Sequence, residues 1–327
     1  MIETSSKIRV LEGDYGDQTL LNILCELRLR NPQQDELMFF SGGPINSRSN
    51  TSMIPLLGDL RVVFKQPEEE SQTKYQDPLN GHIDLSKTPP LILEIQQRIS
   101  NQWSTKSIET HHSLEQALSS MRKMESLAPS EHRTGLSSGG FAGILGYDLG
   151  QWTTSSRLSN PPPAGEILGA MWKTNGWIVH HRDTGTISLV GAENISSEDI
   201  HRWAHVDYTP AELTESSSPV SIQSRKEHEF KTREIIQAIK GGHVYQVNYG
   251  RRWEGPLEND PWSAFSKLVR DNPAPYSSWM RSPSLDWAVV SASPEQLLKI
   301  KDGIISTSPI KGTIPRGKNP IEDSAMR

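Results

Sequence analysis

The amino-acid sequence predicts an α+β fold whose sheets are antiparallel. Two pairs of apolar runs are joined by short turns, Asp183-Thr-Gly185 and Asp302-Gly303, which are typical of β-hairpins. Because a hairpin reverses the chain between neighbouring strands, the strands that it joins run antiparallel. Strand patterns dominate the last third of the chain, which favours the α+β class over an alternating α/β fold.

Composition limits the functions that the 327-residue chain can have. Its 34 basic and 39 acidic side chains give a net charge of −5 without a basic face, so nucleic-acid binding has no electrostatic support. The single cysteine, Cys25, excludes an intramolecular disulfide and a Cys-rich zinc site. We see no signal peptide and no apolar run near the roughly 20 residues that span a bilayer, so we expect a cytoplasmic protein without a membrane partner.

Local patterns predict further elements before residue 200. Apolar residues recur at helical spacing from Leu114 to Met121, directly after Ser113, a typical N-cap residue. The glycine-rich segment Gly139–Tyr147 predicts a strand with close backbone packing. A phosphate-binding loop is the alternative for this segment, but the Gly-Lys-Ser/Thr sequence of such loops is missing.

A serine-rich segment, residues 214–226, predicts a linker between a lobe of residues 1–213 and a second region of residues 227–327. In the second region, isoleucines at 235, 236 and 239 predict a helix that ends at Gly241. Alternating residues from Val244 to Trp253 predict a strand.

Glu295 and Lys311 form a candidate catalytic pair of a carboxylate and an amine. The register that the second hairpin turn sets puts Glu295 opposite Ile310, the neighbour of Lys311. Pro294 and Pro309 cannot donate ladder hydrogen bonds, so we expect a bend or bulge that turns both side chains into one cleft. The alternative is an ordinary surface ion pair, which contributes little.

Four ordered motifs resemble those of the chorismate-utilising enzymes, and they are Tyr245-Gln-Val-Asn248, Asn272-Pro-Ala-Pro-Tyr276, Ser293-Pro-Glu295 and Pro309-Ile-Lys-Gly-Thr313. That family includes component I of anthranilate synthase and of aminodeoxychorismate synthase, and the isochorismate and salicylate synthases. The resemblance covers residues 227–327 well and residues 1–205 more weakly. It implies antiparallel sheets packed as a sandwich with helices outside.

Two positions separate the branches of this family. Gln246 stands where isochorismate and salicylate synthases typically carry a water-activating lysine, so the resemblance implies the ammonia-using branch. Lys311 stands where anthranilate synthases carry alanine and aminodeoxychorismate synthases a nucleophilic lysine. The implied product is 4-amino-4-deoxychorismate, for 4-aminobenzoate and folate synthesis. Anthranilate synthesis with an atypical lysine is the alternative.

The resemblance also implies a role for each motif residue. Neutral Lys311 would attack carbon 2 of chorismate while Glu295 protonates the hydroxyl that leaves carbon 4. Ammonia from a glutaminase subunit would then displace the lysine, and Mg²⁺ would hold the ring carboxylate. Gln246, Gly312 and Thr313 would contact chorismate.

By the same resemblance, a pocket for tryptophan would be formed by Ser41, Asn46, Ser47, Arg48, Ser49, Pro275, Tyr276 and Ser277. The alternative for residues 41–49 is a polar loop between strands. In the family pattern the Mg²⁺ carboxylates lie in a C-terminal stretch beyond the position of Arg327, so we can name no metal ligand. We therefore expect residues 1–327 alone to be inactive on chorismate, and a non-catalytic module that binds tryptophan or a glutaminase is a further alternative.

Overall fold

A computed structural model describes residues 8–68, 89–126, 135–153, 162–206, 218–257, 260–310 and 317–325. The chain divides into two compact units, of which the larger comprises Met1–Tyr208 with Leu268–Arg327 and the smaller Thr209–Lys267. The predicted division into residues 1–213 and 227–327 does not coincide with these units. The difference arises because the chain after residue 267 belongs with the first part of the sequence.

The described residues contain fourteen strands: β1 (Ile8–Leu11), β2 (Glu36–Phe40), β3 (Thr51–Lys65), β4 (Leu91–Ile99), β5 (Gln102–His111), β6 (Phe141–Leu145), β7 (Ile167–His181), β8 (Thr186–Val190), β9 (Val220–Ser221), β10 (Trp253–Glu254), β11 (Tyr276–Ser282), β12 (Trp287–Ser293), β13 (Gln296–Lys301) and β14 (Ile304–Ser308). Ten of them form one antiparallel sheet in the order β1-β8-β7-β3-β2-β11-β12, with β4 and β5 continuing from β3 and β6 paired to β7. Separate two-stranded sheets are formed by β9 with β10 and by β13 with β14. The predicted α+β class with antiparallel sheets is confirmed.

The described helices are α1 (Thr19–Arg30), α2 (Leu114–Arg122), α3 (Ser197–Ala204), α4 (Arg225–Lys240), α5 (Pro261–Asp271) and α6 (Pro320–Ala325). The Ser113 hydroxyl accepts a hydrogen bond from the Gln116 N–H at 3.2 Å, which confirms the predicted start of α2. Helix α4 ends at Gly241, also as predicted. Among the described helices we find none with the length and apolar character needed to cross a membrane.

The long strands β3 and β7 form the centre of the large sheet. They pair along most of their length, with Ile54 opposite Ile178 and Val62 opposite Met171. One apolar cluster packs the second half of β3 and β4 against α2, and Phe64 lies fully buried within it. A second cluster surrounds Trp172 of β7. Their burial is the main favourable contribution to the stability of this unit.

Strand β11 joins the sheet through β2, although more than 230 residues separate them in sequence, as with Phe40 opposite Ser277. Fully buried polar groups stabilise this junction. Arg61 donates to Asp35 and to the Ser282 hydroxyl, both at 3.0 Å, and Ser282 donates to Asp35 at 2.8 Å. Because these groups satisfy one another, they avoid the large penalty of an unpaired buried charge.

Arg182, directly after β7, connects three separate segments. Its guanidinium donates to both carboxylate oxygens of Asp17, at 2.7 and 2.8 Å. It also donates to the carbonyl oxygens of Gly43 at 2.9 Å and Ser49 at 2.5 Å. The hydrogen bond from Arg182 holds the pKa of Asp17 below its ordinary value.

Both predicted hairpins are confirmed, since β7 pairs with β8 around residues 183–185 and β13 with β14 around Asp302-Gly303. The predicted strand from Val244 to Trp253 is wrong. Only Trp253 and Glu254 are in a strand, and they pair with the two residues of β9. An alternating pattern forms a strand only where a partner takes up its backbone hydrogen bonds.

We predict that Gly143→Ala lowers the free energy of unfolding by about 3 kcal/mol, because a Cβ atom there would lie 2.1 Å from the Ala170 carbonyl oxygen. Gly150→Ala is the matched control, since nothing lies within 4 Å of its added carbon. Urea unfolding of both variants measures the difference. Equal stability of the two variants would contradict the close approach of β6 and β7.

We also predict a pH-dependent effect of Asp17→Asn. Because the pKa of Asp17 is lowered in the folded state, its contribution is complete above about pH 5 and is lost as the pH falls through the lowered value. The wild type should therefore exceed the variant in stability by about 1 kcal/mol or less at pH 6, a modest value because the carboxylate is half exposed. Urea unfolding between pH 3 and 7 measures this difference, which should shrink at low pH. As a control, the effect of Asp17→Asn is measured again in a protein that carries Arg182→Gln. If the stability difference still depends on pH there, the effect does not come from the pair of Asp17 and Arg182.

Candidate functional site

A cavity of about 460 Å³ lies in the larger unit, where β2 and β11 meet the hairpin of β13 and β14. Its apolar lining includes Phe39, Met53 and Leu136. Its charged lining consists of one acid and three bases, which are Asp183, Arg48, Lys299 and Lys301. An apolar wall beside charges of both signs suits a small zwitterion with an apolar side chain.

The structure brings together most of the residues predicted to bind tryptophan. Those that line the cavity are Ser41, Ser47, Arg48, Pro275, Tyr276 and Ser277. The remaining two, Asn46 and Ser49, lie outside the lining and shape the loop instead. Ligand binding itself stays a prediction.

The pairing of β2 with β11 brings the two halves of this lining together. Beyond the strands, the Gly42 N–H donates to the Ala274 carbonyl at 2.9 Å. A Cβ atom on Gly42 would lie 2.9 Å from Pro273, so only glycine permits this approach without a shift. The Ser41 hydroxyl lies 2.7 Å from the Thr51 carbonyl and 2.8 Å from the Pro275 carbonyl, and so it connects β3 to the other wall.

Residues 43–50 form a loop, which we name the 43–50 loop, with its own hydrogen bonds. The Ser49 hydroxyl donates to the Pro44 carbonyl and accepts from the Asn46 N–H at 3.2 Å. The Asn46 side-chain oxygen accepts from the Arg48 N–H at 2.8 Å. These bonds engage the polar groups of Asn46 and Ser49 within the loop, whereas Ser47 and Arg48 line the cavity.

Glu295 lies between β12 and β13, one residue from the cavity wall. The neighbouring Gln296 lines the cavity and accepts a hydrogen bond from the Tyr276 hydroxyl at 3.1 Å. The register of β13 and β14 shifts between Gln296 and Lys299, which confirms the predicted irregularity. The exposed Glu295 carboxylate accepts from the Ile310 N–H at 3.3 Å, so it lies beside the residue that precedes Lys311.

Four further residues are predicted to belong to the chorismate site. Lys311, Gly312 and Thr313 lie outside the described residues. Gln246 lies exposed in the smaller unit, in a segment without regular secondary structure. Within the described ranges, no group of three or more His, Cys, Asp and Glu side chains is placed to hold a metal ion, and we assign no Mg²⁺ ligand.

Sequence reasoning missed several residues of the cavity. Lys299 and Lys301 are two residues apart on β13 and therefore share one face of the strand. The predicted hairpin already implied this shared face, so the sequence held a signal for both residues. Met53, Leu136 and Asp183 come from distant parts of the chain, and no local pattern indicates that they meet.

The family described as chorismate binding enzyme matches residues 80–327 of this chain. Aminodeoxychorismate synthase component 1 of Salmonella typhimurium is 33% identical over 195 residues, 57% of this chain and 40% of that protein. The same component of Escherichia coli is 32% identical over 197 residues, 57% of this chain and 41% of that protein. Anthranilate synthase component 1 of Acinetobacter calcoaceticus is 30% identical over 210 residues, 58% and 41% of the two chains.

A crystal structure of anthranilate synthase component I from Streptococcus pneumoniae is similar in fold. Its TM-score is 0.51 at 16% identity, and the match covers 91% of this chain and 60% of that chain. The matched part of this chain thus spans about two fifths of the curated relatives' own length. The fold, the four motifs and the family match over residues 80–327 together show that the chain belongs to the chorismate binding enzyme family.

Proposed function

We propose that the protein aminates chorismate at carbon 4 and so forms 4-amino-4-deoxychorismate, a precursor of 4-aminobenzoate and folate. The observation that carries this proposal is the hydrogen bond from the Ile310 N–H to Glu295, because it places a carboxylate next to the residue that precedes Lys311. The similarity to aminodeoxychorismate synthases supports the same reaction.

Two residues of this chain would act directly on the substrate, one as nucleophile and one as general acid. The neutral Lys311 amine forms a bond to carbon 2 of chorismate as both ring double bonds shift and the carbon 4–oxygen bond breaks. Glu295 gives its proton to the departing oxygen, and water leaves. One Glu295 oxygen accepts from Ile310, and the other oxygen can carry this proton. Ammonia then bonds to carbon 4, the ring double bonds shift back, and the bond between Lys311 and carbon 2 breaks. The ammonium formed at carbon 4 gives one proton to Glu295, which restores the acid.

The proposed reaction needs ammonia and a site for the chorismate carboxylate. We infer that a glutamine amidotransferase subunit supplies the ammonia, and the relatives' designation as component 1 supports a second component. Gln246, Gly312 and Thr313 are proposed to contact chorismate. Mg²⁺ is a proposed requirement of the whole enzyme, in which it would hold the ring carboxylate of chorismate.

Anthranilate synthesis is the second candidate reaction, and the Acinetobacter calcoaceticus relative favours it. The two candidates differ in the use of Lys311. A lysine-linked intermediate belongs to amination at carbon 4, whereas anthranilate synthesis adds ammonia to carbon 2 directly.

We predict that chorismate forms a covalent adduct with the complete enzyme and that Lys311→Ala abolishes it, because the substitution removes the nucleophilic nitrogen. Intact-protein mass spectrometry with chorismate and Mg²⁺ measures the adduct. Lys318→Ala is the matched control and should keep it. An adduct that survives Lys311→Ala would remove this lysine from the mechanism.

We further propose that the cavity binds tryptophan. Its apolar residues, among them Phe39 and Leu136, suit an indole, and its charged groups suit an amino acid's ammonium and carboxylate. This support does not depend on the chorismate reaction, so the cavity can bind its ligand in an enzyme of either activity.

We predict that Arg48→Ala weakens L-tryptophan binding about tenfold, because a charge-assisted hydrogen bond to the carboxylate is lost. Tryptamine, which has no carboxylate, should bind both proteins equally. Arg202→Ala is the matched control, since Arg202 pairs with Asp199 on α3 and does not line the cavity. Calorimetry measures all three proteins, and an equal loss of tryptamine affinity would contradict the proposed orientation.

A further inference from the structure

Arg182 is almost completely buried, with 3% of its side chain exposed, yet it lies outside the cavity lining. Its guanidinium donates to Gly43 near one end of the 43–50 loop and to Ser49 near the other. Its backbone N–H donates to the Asn50 carbonyl at 2.8 Å. One residue thus holds both ends of the loop.

The planar guanidinium is suited to this task. It directs one edge at Asp17, with two hydrogen bonds, and still has donors for two carbonyl oxygens. Asp17 therefore fixes the orientation of the Arg182 guanidinium, which in turn binds the 43–50 loop. A lysine at this position would keep the charge but could not donate to Asp17, Gly43 and Ser49 with the same geometry.

We propose that Arg182 is a positioning residue for the cavity, which holds the 43–50 loop so that Ser47 and Arg48 face the ligand. The proposal rests on the proposed binding of an amino acid by this cavity. The loop's internal bonds involve Asn46, Ser49 and Pro44. They shape the loop, whereas the hydrogen bonds of Arg182 join it to the end of β7 and to Asp17. Loss of the guanidinium should therefore release the loop while the sheet stays intact.

Hydrogen exchange of the free protein tests the loop without any ligand. In Arg182→Lys the amides of Arg48 and Ser49, which are hydrogen-bonded within the loop, should exchange about tenfold faster or more. Amides of β3 and β7 should keep their wild-type rates. Unchanged exchange in the loop would overturn the proposal. A uniform rise that includes both strands would also overturn it, because Arg182 would then stabilise the sheet rather than the loop.

Tryptophan affinity tests the consequence for the cavity. Arg182→Lys should raise the Kd for L-tryptophan about tenfold, because the loop would no longer hold Arg48 where it can bind the ligand carboxylate. Arg98→Lys is the matched control, because Arg98 also binds an aspartate, Asp59, through two nitrogens, away from the cavity. An unchanged Kd in Arg182→Lys would overturn the proposal. A wild-type protein that does not bind tryptophan would instead overturn the proposed ligand, and the exchange measurement would still decide the role of Arg182.

Discussion

The pairing of β2 with β11 is the interaction on which the rest of the candidate site depends. It places Phe40 opposite Ser277 and brings the segment after residue 272 against the segment after residue 40. The cavity is formed at the end of this pairing, with one wall from each segment. Glu295 follows β12, which pairs with β11, so the position of Glu295 depends on the same contact.

Buried charge strengthens this contact and gives it a unique register. Asp35, just before β2, binds Arg61 of β3 and the Ser282 hydroxyl at the end of β11. Trp172 of β7 also donates to Asp35, at 2.6 Å. A shift of β11 by one residue would take the Ser282 hydroxyl away from Asp35 and Arg61 and turn the buried side chains of β11 to the other face of the sheet, which is unfavourable.

Much of the local structure could be predicted from the sequence, because turns, caps and bulges depend on neighbouring residues. The hairpin at Asp302-Gly303 and its irregular end near Glu295 are examples. Long-range contacts could not be predicted in this way. No local pattern shows that β11 pairs with β2, and Arg182 was missed because its partners lie more than 130 residues away. The motif residues of the cavity were found by resemblance, whereas Leu136 and Met53 required the fold.

A crystal structure of the protein grown with L-tryptophan tests the central claim most directly. The account predicts that β11 pairs with β2 in the register that sets Phe40 opposite Ser277. It also predicts an indole beside Phe39 and Leu136, with the ligand carboxylate near Arg48. A β11 strand paired elsewhere, or tryptophan bound outside this cavity, would contradict the account.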